Sequence, residues 1–123
     1  MNNISQNEFD ILKIIWQHKR LSSREIHDKI NSSTGWAYST TRTVIDRMAK
    51  KGILAKNKFH GINLYSAEIS RVRCIAGQIS SFAAKVLEAD PLSMLPLFAK
   101  ADVLTNDEID ELKKILKSIE RKE

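Results

Sequence analysis

The residues best suited to do chemistry lie between Tyr38 and Gly52. Ser39, Thr40, Arg42, Thr43, Asp46, Arg47 and Lys50 alternate with Thr41, Val44, Ile45 and Met48 at helical spacing. One narrow face is therefore apolar, and the opposite face carries hydroxyls, guanidinium and ammonium groups and a single carboxylate. Arginine and threonine on an exposed helix suit the edges of DNA bases. Arginine reaches guanine with two parallel donors, and the threonine methyl meets the methyl of thymine. Asp46 can pair with Arg42 or Lys50 one turn away, or accept from a cytosine amino group. Lys56, Lys58 and His60 follow at intervals of two, which suits contact with the phosphate backbone or the minor groove.

Other chemistries lack their residues. His18, His27 and His60 are scattered and Cys74 is the single cysteine, so neither a metal site nor an internal disulfide is expected. The four glycines are isolated, which leaves no phosphate-cradling loop. No nucleophile-and-base pair stands out. We expect no enzyme, cofactor or metal, and Cys74 reads as a small buried hydrophobe.

Helices and a hairpin on either side are expected to position this basic face. Ser5-Gln6-Asn7-Glu8 and Ser22-Ser23-Arg24-Glu25 are capping-box sequences, predicting helices to about His18 and about Asn31. The inner faces are expected to be Phe9, Leu12, Ile15 and Trp16, then Ile26 and Ile30. A polar turn to Gly35 precedes the third helix, about 39–51, with Ser39 as its expected N-cap and Gly52 as its stop. Ile53–Lys56 and Ile62–Ser66 read as short strands around a loop from Asn57 to Gly61. Three helices followed by a basic-tipped hairpin make a winged helix-turn-helix, whose third helix enters the major groove.

From Ser70 the pattern changes. Val72, Ile75, Ile79, Phe82 and Val86 are spaced as a helix-pairing seam, and Leu112, Leu116 and Ile119 repeat it after the capping box at Thr105-Asn106-Asp107-Glu108. About fifty residues of short helices rarely hold a core alone, so pairing with a second copy is expected through these eight side chains. Pro91 and Pro96 are expected to limit helix between Leu92 and Ala101. The fold class is thus mainly α with a small two- or three-stranded β wing: a DNA-binding domain at 1–69 and a helical dimerisation domain at 70–123. Charge follows that division. Residues 1–66 hold 11 Lys/Arg against 5 Asp/Glu, whereas 67–123 hold 9 against 10, so the excess positive charge travels with the recognition helix and wing. No apolar run is long enough to span a membrane and no signal peptide is seen, which predicts a cytoplasmic protein.

Trp16, the run Arg42-Thr43-Val44-Ile45-Asp46-Arg47-Met48, Lys50-Lys51-Gly52, Tyr65-Ser66 and Asp107-Glu108-Ile109 resemble the penicillinase-repressor family (BlaI/MecI/CopY) over essentially the whole chain. That resemblance implies a dimeric bacterial repressor that binds a palindromic operator in double-stranded DNA and controls antibiotic-resistance or cell-wall stress genes. The chain lacks the cysteine-rich motif of the copper-responsive branch. In the β-lactam-responsive branch a membrane sensor protease cuts an Asn-Phe bond, and Leu97-Phe98 occupies the corresponding position, the candidate cleavage site here. Family recognition helices often begin Ser-Pro, where this one begins Ala37-Tyr38. The competing function is a winged-helix protein-interaction module, which calls for exposed apolar side chains on residues 39–50.

Overall fold

Reciprocal caps start three of the helices. Ser5 Oγ accepts the Glu8 N–H at 3.3 Å while the Glu8 carboxylate accepts the Ser5 N–H at 2.9 Å, opening α1 (Gln6–His18). Ser22 and Glu25 repeat the exchange for α2 (Ser23–Thr34), and Thr105 and Glu108 for the last helix. Each exchange satisfies donors that a helix start would otherwise leave bare. The computed structural model describes residues 4–121 and divides into two compact units, Met1–Ile69 and Ser70–Glu123.

In the first unit, α1 leads into the short strand β1 (Arg20–Ser22), and α2 runs three residues past its expected end to a left-handed Gly35 at φ 68°. Helix α3 (Tyr38–Lys50) begins one residue early. Ala37 takes the N-cap position without a side-chain bond, and its carbonyl accepts the N–H groups of Thr40 and Thr41. Ser39 therefore lies in the first turn and does not cap the helix. Gly52, at φ 83°, closes α3.

The hairpin is longer than expected. Strands β2 (Leu54–Phe59) and β3 (Ile62–Ala67) meet at a two-residue turn, where His60 and Gly61 both have positive φ, 51° and 79°. This is the mirror-image turn that matches strand twist. Strand β1 pairs with the other edge of β3, giving the antiparallel order β1-β3-β2 with Leu21 and Lys56 both opposite Tyr65. The core draws Ile11, Leu12 and Ile15 from α1, Ile26 and Ile30 from α2, Ile45 and Met48 from α3, and Leu21, Leu54 and Tyr65 from the sheet. Phe9 and Trp16 are only half-buried. They meet edge to face at 6.3 Å, and the Trp16 indole N–H donates to the Ile69 carbonyl at 3.0 Å.

The second unit contains α4 (Arg71–Phe82), a π-helical turn at Ala83–Leu87, a 3-10 turn at Pro91–Met94, α5 (Leu95–Ala101) and α6 (Asn106–Arg121). Its core closes within one chain. Val72 and Ile79 of α4 pack with Leu112 and Leu116 of α6 inside one chain, flanked by half-buried Ile75 and Ile119. The two seams lie on one short polypeptide, so they close on each other without the entropic cost of association. Phe82 and Val86 remain exposed, at 46% and 63%. The prolines also act differently than expected. Each sits in the first turn of a helix, where its missing N–H costs nothing, so the Leu97-Phe98 bond lies within α5. Cys74 is buried, and burial pushes its thiol pKa up.

Candidate nucleic-acid interface

The pose of α3 is fixed by polar contacts at both ends. At its start, His27 Nδ1 and the fully buried Thr41 hydroxyl share a hydrogen bond of 2.8 Å, and Ser23 Oγ lies 2.8 Å from the Tyr38 hydroxyl. The His27 ring meets Tyr38 edge to face at 5.5 Å, and the Arg24 guanidinium stands 5.0 Å over the Tyr38 ring. A buried hydroxyl without a partner is costly, so the His27–Thr41 bond holds α2 and α3 in one relative orientation. At the other end, Lys51 Nζ lies 3.0 Å from both oxygens of the buried Glu8 carboxylate. Burial alone would raise the Glu8 pKa, but the Ser5 N–H and the Lys51 ammonium outweigh it and hold the carboxyl below its ordinary value. Lys51 thus anchors the end of α3 to the start of α1. From sequence alone Lys51 reads only as part of the helix stop.

The opposite face is open. Ser39, Thr40, Arg42, Thr43, Asp46, Arg47 and Lys50 are all exposed. Among the described residues, none of the cations in this set lies within ion-pair distance of a carboxylate, so the expected pairing of Asp46 with Arg42 or Lys50 is not made. The Thr43 hydroxyl donates to the Ser39 carbonyl at 3.0 Å, which leaves its methyl and oxygen lone pairs free. Lys56 and Lys58 are exposed and lie on one face of β2, opposite Tyr65 and Asn63. His60 does not continue that row. It occupies the turn with its ring 4.4 Å from that of Phe59.

Between α3 and the hairpin runs an open cleft of about 490 Å³, lined by Arg42, Asp46, Ala49, Lys50, Leu54, Lys56, Asn63 and Tyr65. Burial, with a smaller contribution from the Asp46 carboxylate, raises the Tyr65 pKa, so its hydroxyl stays protonated. Asn63 and Tyr65 join the cleft although composition and spacing do not mark them. Their pairing opposite Lys58 and Lys56 was the available signal, but it required the hairpin register. Among the described residues no group of three or more metal-ligating side chains is brought together, and no helix is long and apolar enough to cross a membrane.

The penicillinase repressor family model matches residues 4–118. The chain belongs to the penicillinase repressor family. It is 35% identical to a penicillinase repressor of Staphylococcus aureus over 119 residues, covering 97% of this chain and 94% of that protein. It is 31% identical to the methicillin resistance regulatory protein MecI of Staphylococcus aureus strain N315, covering 92% of each. The solution structure of the DNA-binding domain of the repressor BlaI superposes with a TM-score of 0.51 at 28% identity, covering 56% of this chain and 84% of that domain. The fold of this repressor-family member is accordingly a winged helix followed by a helical unit.

Proposed function

We propose that this DNA-binding repressor acts as a homodimer on a palindromic operator in the cytoplasm, controlling antibiotic-resistance or cell-wall stress genes. One observation carries the reading: α3 exposes hydroxyls and cations that have no ion-pair partner among the described residues, and none of the large exposed apolar side chains lies on it. A helix that docked protein would expose aliphatic or aromatic groups there. The start of α3 enters the major groove, with Arg42 and Thr43 on base edges and Ser39 and Thr40 near the groove edge. Arg47, Lys50, Lys56 and Lys58 neutralise phosphates, and His60 at the turn approaches the adjacent minor groove.

Dimerisation places two recognition helices on half-sites one helical turn apart, or a simple multiple of that distance. With the α4–α6 seam packed within the chain, the exposed apolar side chains of the second unit that a second copy could cover are Phe82, Val86, Leu87, Leu97 and Val103, and the first three adjoin one another at the end of α4. Release by a membrane sensor protease at Leu97-Phe98 requires α5 to unwind first, since proteases take extended backbone. Leu97 is exposed, whereas Phe98 packs against the core.

A gel shift on genomic fragments tests the function. Retardation at low salt that weakens steeply as salt rises is expected. Absence of retardation at low salt overturns the reading.

A further inference from the structure

The cleft between α3 and the hairpin contains one acid among cations. Asp46 shares it with Arg42, Lys50 and Lys56, and with the neutral Asn63 and Tyr65. It lies four residues from both Arg42 and Lys50, the spacing at which helical ion pairs form. Yet among the described residues it makes neither an ion pair nor a hydrogen bond with either. Its side chain is exposed on the face that meets DNA. Facing a polyanion, an unpartnered carboxylate is repelled by every duplex unless something on that duplex donates to it. In the major groove the donors are the exocyclic amino groups of cytosine and adenine, and carboxylates characteristically take cytosine.

We propose that Asp46 is a selectivity-determining residue of this face. It accepts a hydrogen bond from a base amino group on the correct operator and penalises duplexes that present none at that position. This inference rests on the DNA-binding function proposed above and adds the source of its discrimination. Arg42, Lys50 and Lys56 attract any duplex, and Asp46 subtracts from that attraction except where the base amino group is present. Selectivity then comes from a repulsive element as well as from attractive contacts.

The test uses the full-length chain and a duplex that it selects from a random library. Dissociation constants of wild type, Asp46→Asn and Asp46→Ala are measured for that duplex and for a shuffled duplex of equal length, at one salt concentration. Thermal melting verifies that the variants fold. Asp46→Asn removes the charge and keeps an acceptor. It should bind the shuffled duplex about tenfold more tightly and the selected duplex within about threefold of wild type. Asp46→Ala also removes the acceptor, and a parallel selection with it should lose the preference for an amino-bearing base at one position. Variants that keep the wild-type ratio of the two constants overturn the proposal, as do variants that weaken both duplexes equally, which would make Asp46 a support of the helix. A wild-type chain that selects no sequence overturns the DNA-reading function itself, and this inference with it.

Discussion

Helices α3 and α4 are almost equal in length, 13 and 12 residues, and each buries one stripe, but they leave very different surfaces behind. Helix α3 buries Thr41, Ile45 and Met48 and exposes hydroxyls, cations and Asp46. Helix α4 buries Val72, Cys74, Ala76 and Ile79. At its end and in the π turn beyond it, Phe82, Val86 and Leu87 are about half exposed or more. The leftover surface names the class of partner. A wet, charged face costs nothing to keep in water and gains most from a polyanion. An exposed apolar group gains most from another protein surface.

The largest effect should come from the apolar leftover. Replacing Phe82 and Val86 together by aspartate should give a monomer, lowering operator affinity by about 10²–10⁴ through loss of the linked second half-site. Sedimentation and titration of the palindrome read this directly. Wild-type chain sedimenting as a monomer at micromolar concentration would break this side of the comparison. Aspartate at Ile79 or Leu116 should instead unfold the second unit, because both are buried within one chain.

The next effect concerns the support of α3. Glu8→Gln replaces the charged partner of Lys51 and should lower the stability of the protein by about 1.5–3 kcal/mol. The folded Glu8 carboxyl is held below its ordinary pKa of 4.5. Its contribution is therefore present above the unfolded value and is lost as pH falls through the lowered folded value. The gap between the melting curves of wild type and Glu8→Gln should be constant well above pH 4.5 and narrow as pH falls below it. A gap that does not narrow would place the stabilisation elsewhere. The smallest effect belongs to the wing: Lys56→Ala with Lys58→Ala should weaken binding to all sequences and lower the salt slope by about 1.8. An unchanged slope would mean that these two lysines do not reach phosphate.

Much of this contrast is legible in the residues. The capping boxes at Ser5, Ser22 and Thr105 locate helix starts because two reciprocal bonds depend on residues three apart. The exposed face of α3 follows from its 3.6-residue period. Other features are hidden for physical reasons. Strand β1 has three residues, too few for alternation to show. Asn57, Lys58 and Phe59 resemble loop, yet they pair because the turn at His60-Gly61 is tighter than their composition suggests. Periodicity marks the Val72/Ile79 and Leu112/Leu116 stripes as buried but does not say against what, and here they bury each other. Spacing permits Asp46 to pair with Arg42 or Lys50, but in the fold its carboxylate forms an ion pair with neither.

If α3 reads DNA sequence, Arg42→Ala must change which base is preferred as well as how tightly the duplex is held. Wild type and variant are titrated against the selected operator and against the set of its single-base substitutions at fixed salt. The account predicts a loss of about 1–3 kcal/mol on the operator and a flattened preference at one base position, with the remaining positions unchanged. An equal loss on every duplex, or no loss at all, would contradict it.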